Sequence, residues 1–161
     1  MQTNSAKLPS QDSPRVIALP PVLYIGTLMV GLLAHFLWPV RPLAPLPTRI
    51  LGGVLVLVSG GLGAWGVSTM RRAGTNVRPD KPTTAIVSDG PFRFTRNPLY
   101  LAGTGLYLGI TLLVDAVWPL VLLVPLLAII QWGVIKREER YLESKFGESY
   151  RAYKARVRRW L

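Results

Sequence analysis

The sequence predicts an all-α polytopic membrane protein with about four transmembrane helices plus a cytoplasmic amphipathic C-terminal helix. Three observations predict it: uncharged apolar runs of membrane-crossing length, basic residues gathered between alternate runs, and an apolar stripe at helical spacing near the C-terminus. The runs are Pro20 to Trp38, Ile50 to Met70, Asn97 to Val114 and Ala116 to Ile135. Each is close to the roughly 20 helical residues needed to cross a hydrocarbon core. With 50% of the 161 residues hydrophobic, too little sequence remains to cover four such helices in a water-soluble fold. The third run is short and opens on a helix-start signal, which suits a helix lying partly in the interface. The first run follows a polar leader and lacks a small-residue cleavage site, so it is expected to stay in the mature chain.

Charge sets the expected orientation. Of the 19 basic residues, only Arg41 and Arg49 lie between the first and second runs. The others precede the first run, fill the 71–96 loop or follow the fourth run. Basic residues favour the cytoplasmic side, which puts both termini and the long loop there, at the inner membrane if the source is bacterial. The net charge of +11 is thereby assigned to topology and anionic headgroups. No nucleic-acid motif accompanies it. Cysteine is absent, excluding disulfides and thiolate chemistry. The single histidine, His35, lies in the first run near Trp38 and is assigned a structural role; no metal site is expected.

Residues 1–19 read as a flexible or surface-lying leader, residues 20–70 as a transmembrane hairpin, and residues 71–161 as the functional core. Prolines 42, 45 and 47 interrupt the outer connection between the first two helices. The second run is rich in glycine, and Ser59/Gly63 and Gly60/Ala64 have the four-residue spacing that lets helix backbones approach closely in lipid. Gly105 and Gly109 repeat it in the third run. Pro119 and Pro125 are positioned to bend the fourth.

The informative region is the loop RRAGTNVRPDKPTTAIVSDGPFRFTRNPLY at 71–100. Long ordered loops are often functional. Asp89, Gly90 and Pro91 predict a turn. Asn97 is the expected N-cap and Pro98 the first helical residue. That arrangement sets a helix N-terminus, with its unpaired N–H donors, at the cytoplasmic edge of the bilayer, where it can hold a carboxylate or phosphate. In the tail, Glu138 and Glu139 directly follow the fourth run. Leu142, Phe146, Tyr150, Tyr153 and Val157 then form an amphipathic stripe, interrupted at Gly147, that can close a cytoplasmic pocket.

The block GPFRFTRNPLYLAGTG, followed by EERYLESKFGESYRAYKARVRRW, resembles the integral-membrane methyltransferases that include isoprenylcysteine carboxyl methyltransferases and phospholipid N-methyltransferases. The resemblance covers residues 71 to 160. It implies S-adenosylmethionine as cofactor, bound near the cytoplasmic face, with membrane lipids and a lipophilic methyl acceptor as partners. It implies cofactor contacts from Thr84, Ala85, Ile86, Val87 and Phe92, from Arg96, Asn97, Pro98, Leu99 and Tyr100, and from Gly103 and Gly105. It further implies that Glu138 receives the cofactor ammonium. Tyr100 is expected to orient the nucleophile, and Glu139 to serve as acid or base where the acceptor is an amine. Two departures bear on the acceptor. Asn97 stands where isoprenylcysteine enzymes have histidine, and Val134 stands where they have an arginine one turn before the paired acids. A phospholipid amine or other small lipophilic acceptor is therefore favoured over a prenylcysteine carboxylate, with Val134, Arg137, Gln131 and Arg93 as the expected substrate-side residues. The alternatives are an NADPH-dependent membrane reductase and a non-catalytic scaffold.

Overall fold

The protein is described here from a computed structural model covering residues 13–14, 16–40 and 45–160. Within them the regular structure is entirely helical: α1 (Pro20–Leu37), α2 (Pro45–Arg72), a single 3-10 turn (Gly90–Arg93), α3 (Pro98–Leu113), α4 (Val117–Ile129), a π-helical segment (Ile130–Ile135), α5 (Lys136–Phe146) and α6 (Glu148–Arg156). The segment Val117–Phe146 is one continuous rod of 30 residues. It, α1 and α2 are long and apolar enough to cross a membrane; Pro98–Leu113 is apolar but shorter.

Proline explains where three helices begin. Pro20 and Pro21 open α1, Pro98 opens α3, and Pro45 and Pro47 fall in the first turn of α2, where a missing N–H removes no hydrogen bond. The outer prolines were expected to keep this stretch out of the helix; instead α2 starts five residues before Ile50. Residues 41–44 lie outside the described region. The α3–α4 turn is closed by Ala116 N–H donating to Thr111 O (3.1 Å), with Asp115 at φ 54°. Gly147, at φ 53°, ends α5 and re-aims the chain into α6. That conformation is easily reached by glycine.

Two antiparallel pairs make the bundle. The α2–α3 seam is glycine-packed: a Cβ at Gly52 would lie 2.7 Å from Gly109 O, and one at Gly63 would touch the Ala102 Cβ at 3.5 Å. In the other pair, Gly31 of α1 admits Pro119 of α4, and Trp118 Nε1 donates to Trp38 O at 2.8 Å. The buried cluster of Tyr24, Tyr100, Tyr107, Leu123, Leu126, Ile130, Val134 and Ile135 joins α1, α3 and the long rod. α1 and α2 make no extended contact with each other.

Two features depart from the sequence reading. The fourth helix does not keep α-helical register to its end: Lys136 N–H donates back to Gln131 O, five residues earlier, just before the paired acids. And the described part of the leader is not free. Pro14 is buried, Val16 packs on the core, and Ile17 N–H donates to Gly133 O at 3.4 Å, its side chain filling the space that a Gly133 side chain would take. The remainder of the leader lies outside the described residues.

Candidate active site

A cavity of about 760 Å³ opens at the end of the bundle that carries the 71–97 loop and α6. Its walls are Tyr24, Ile25 and Leu28 from α1; Gly63, Val67 and Met70 from α2; and Tyr100, Gly103 and Ile110 among others from α3. The loop contributes Thr75, Asn76, Ala85, Ile86, Val87 and Phe92, and the roof carries Leu142, Tyr150 and Tyr153. The volume is that of an ordinary small-molecule site.

The polar groups collect at the loop end. Tyr100 Oη donates to Glu138 Oε2 at 2.7 Å, and the other Glu138 oxygen has no hydrogen-bond partner among the described residues. Glu139, 8% exposed, is held on both oxygens: Arg159 donates from Nε to Oε1 (2.9 Å) and from Nη2 to Oε2 (2.7 Å). Arg96 Nη1 also lies 3.0 Å from Glu139 Oε1, in an ion pair too poorly aligned to count as a hydrogen bond, and its Nε is buried without a partner. The Arg159 guanidinium is held above its ordinary value by its hydrogen bonds to Glu139. Adjacent helix positions point about 100° apart, and the two carboxylates accordingly differ: Glu138 is available to the cavity, whereas Glu139 is the centre of a two-arginine clamp.

That clamp ties the C-terminal tail to the Thr95–Asn97 segment that precedes α3. Arg96 N–H donates to Arg158 O at 2.9 Å; Thr95 Oγ1 and Asn97 Nδ2 donate to Arg159 O at 3.1 and 2.9 Å. Asn97 precedes Pro98 as expected, but its side chain makes no cap and grips the tail instead. Tyr153 Oη donates to Phe92 O at 2.8 Å, fastening α6 over the loop. Burial raises Tyr150 and Tyr153 above the ordinary phenol value, keeping both neutral.

Of the residues singled out in the sequence, Ala85, Ile86, Val87, Phe92, Arg96, Asn97, Pro98, Leu99, Tyr100, Gly103, Glu138 and Glu139 line the cavity. Thr84 does not; its N–H and hydroxyl bond Thr75 Oγ1 (3.1 Å) and Gly74 O (2.8 Å), folding the loop back onto the end of α2. Gly105 is turned away to α2, where a Cβ would collide with Ser59. The expected substrate-side set is not assembled either. Arg93 and Arg137 are exposed on the surface, Gln131 sits in the π-helical segment away from the cavity, and Val134 is fully buried in the core. Val134 lies near the end of the π-helical segment, where it is buried with Ile130 and Ile135 in the core cluster. Sequence reasoning assigned no site role to Tyr24, Thr75, Asn76 or Arg159. The amphipathic stripe pointed to Tyr150 and Tyr153; no comparable signal marked Tyr24 or Arg159.

The family model of phospholipid methyltransferases matches residues 47–149, well over half of the chain. The chain belongs to the phospholipid methyltransferase family. A stretch of 27 residues is 74% identical to an uncharacterized protein of Haemophilus influenzae; it amounts to 17% of this chain and 43% of that protein, so the match spans less than half of the relative. No solved structure matches the chain. Within the phospholipid methyltransferase segment lie α2, the loop, α3 and the rod carrying Glu138 and Glu139. Described residues 13–40, most of α6 and the Arg159 tail fall outside it.

Proposed function

We propose that this protein transfers the methyl group of S-adenosylmethionine to a lipophilic acceptor at the cytoplasmic membrane face, a phospholipid amine being favoured. The observation that carries the reading is the cavity's polar end. One accessible carboxylate, Glu138, and one buried guanidinium with an unpartnered Nε, Arg96, stand beside apolar and aromatic walls. Such an end is complementary to a zwitterionic amino-acid group attached to a flat heterocycle. Glu138 would take the ammonium, Arg96 and the first N–H groups of α3 the carboxylate, and Phe92 with Ala85, Ile86 and Val87 the adenine.

S-adenosylmethionine, when bound, supplies a methyl group on a positively charged sulfur. The chain's own part is to bind, orient and exclude water. Holding two reactants in line can contribute roughly 7 to 11 kcal/mol to lowering a barrier. Tyr100, fixed by Glu138, presents its hydroxyl oxygen to the cavity and orients the nucleophile. Glu139, engaged by both arginines, is assigned a positioning role; the acceptor would attack as the free amine, the carbon–sulfur bond breaking to release S-adenosylhomocysteine, and the proton of the methylated amine would pass to solvent. The charge bias supports a cytoplasmic position for the basic end of the bundle, with loop and α6.

The test is direct. Purified protein in detergent should be thermally stabilised by S-adenosylhomocysteine and not by NADPH. With methyl-labelled S-adenosylmethionine and phosphatidylethanolamine vesicles, label should enter the lipid fraction. Stabilisation by NADPH alone would replace this reading with a reductase; affinity for neither nucleotide would leave a scaffold.

A further inference from the structure

α1 stands outside the segment shared with the phospholipid methyltransferase family, yet it forms one wall of the cavity. Its Tyr24 is buried, and the ring lies over Gly103, where an added Cβ would come within 3.1 to 3.3 Å of three ring carbons. Tyr24 Oη donates to Tyr100 O at 3.2 Å and lies 2.9 Å from Thr104 Oγ1, which itself donates to Tyr100 O at 2.9 Å. Tyr24 thus grips the backbone of the residue whose hydroxyl holds Glu138.

Along α3 the lining runs from Tyr100, beside Glu138 and Arg96, past Gly103 under the Tyr24 ring to Leu106, Tyr107 and Ile110, and Leu28 of α1 belongs to the same lining. From Gly103 to Ile110 the arm follows about 10 Å of helix axis at 1.5 Å per residue. It carries no charged side chain. Tyr107, its largest wall residue, has its hydroxyl turned out of the arm to Pro119 O at 2.9 Å. α1 and α2 make no extended contact, and Val22 and Ile25, which belong to the α1 wall of the cavity, are exposed, as is Val58 of α2.

We propose that Tyr24 is an acceptor-positioning residue: it marks the boundary between the reacting end of the cavity and an apolar arm that takes one hydrocarbon chain of the acceptor, entering sideways between α1 and α2. The inference rests on the methyl-transfer reading and adds to it a residue and a subsite contributed by a helix outside the shared segment. The arm continues directly from the polar end, and a chain lying in it would hold the attached head group at Tyr100.

Two experiments test it together. A phosphatidylethanolamine probe with a photoreactive group at the end of one acyl chain should crosslink to peptides containing Leu28, Leu106 and Ile110, and Ile110→Trp should abolish that labelling while S-adenosylhomocysteine still binds. In methylation of phosphatidylethanolamine vesicles, Tyr24→Phe keeps the ring and removes the hydrogen bonds. It should lower kcat about fivefold, with KM and S-adenosylhomocysteine affinity changed by less than about twofold. Labelling spread over the exposed faces at Phe36 and Leu57, or wild-type kcat in Tyr24→Phe, overturns the inference. Chain labelling at the arm without nucleotide binding would leave the arm standing and remove the methyl-transfer reading instead. If the wild type binds nucleotide but does not methylate this lipid, the crosslinking pattern alone decides.

Discussion

The two faces of α3 meet their neighbours in opposite ways. Toward α2, Gly105 lies against the Ser59 side chain and Gly109 brings backbone against backbone; a Cβ at Gly109 would lie 2.9 Å from both Gly52 O and Val56 N. Toward α1, Gly103 admits an aromatic ring, and beyond it the helices stand apart around a cavity. In lipid there is little hydrophobic drive to close a gap between apolar helices, so association depends on close packing and polar contacts. Glycine that meets glycine seals a seam, whereas glycine that meets tyrosine makes a wall with space beside it. Substitutions at the sealed and buried positions should therefore act on stability, and those along the open side on ligand.

The largest effect is expected at Val134. On sequence grounds Val134→Arg would redirect acceptor choice. In the fold this side chain has no exposure and packs within the core cluster, so the variant buries an unpaired guanidinium at a cost of about 3 to 5 kcal/mol. Loss of the monodisperse folded species in size-exclusion chromatography is the expected outcome. A folded Val134→Arg protein with altered acceptor preference would restore Val134 to the site.

Next is the seam itself. Gly109→Val forces a branched side chain onto the α2 backbone and should destabilise by about 1 to 3 kcal/mol. Gly60→Ala, where nothing lies within 4 Å of the added Cβ, should be neutral or stabilise by up to about 1 kcal/mol through lower backbone entropy. Thermal unfolding of the pair measures the contrast; equal losses at both sites would mean that Gly60 is also packed, against another molecule.

These two predictions mark how far the sequence could be read. The apolar runs and the glycine spacing are local properties; the runs indicated the helices, and Ser59/Gly63 with Gly105/Gly109 indicated the α2–α3 seam, whereas Gly60 of the expected Gly60/Ala64 pair meets nothing within 4 Å. The Arg96–Pro98 block and the two acids were also legible, because a helix start and a helix end at one membrane face must converge there. The π turn was not. It depends on how Ile130 to Ile135 pack: Ile130, Val134 and Ile135 are buried in the core cluster, and neither Val134 nor Gln131 lines the cavity. Arg159 and Tyr24 escaped for a different reason: each reaches the site through contacts 20 or more residues distant in the chain, with no periodicity to announce it.

The third prediction separates the paired acids. Glu138→Gln should weaken S-adenosylhomocysteine binding roughly tenfold to one-hundredfold, the worth of a charge-assisted bond, with little change in melting temperature. Glu139→Gln leaves Arg96 and Arg159 without their shared carboxylate. It should cost about 1 to 2 kcal/mol of stability, since Arg159 is a third exposed and partly screened, and weaken nucleotide binding less. Calorimetric titration beside thermal unfolding reads both. The reverse pattern would make Glu139 the ligand residue and Glu138 the structural one.

The smallest effect concerns the roof that closes the open side. Tyr150 and Tyr153 are buried in α6, and burial is the main cause that raises each above the reference value of 10.0. The folded roof therefore holds these protons more tightly than the unfolded chain does. Their contribution to stability is fully present below about pH 10 and is lost as pH rises from there through the folded values, because only the detached roof ionises readily. The melting temperature should stay level from neutrality to about pH 9 and fall above about pH 10, in step with tyrosinate absorbance. Tyr153→Phe keeps the ring but deletes the bond to Phe92 O. It should lose about 1 kcal/mol near neutrality and show a shallower alkaline loss, since one titrating group is gone. Tyrosinate appearing near pH 10 with the melting temperature unchanged would show that these phenols are solvated and that α6 rests on the loop without sealing it.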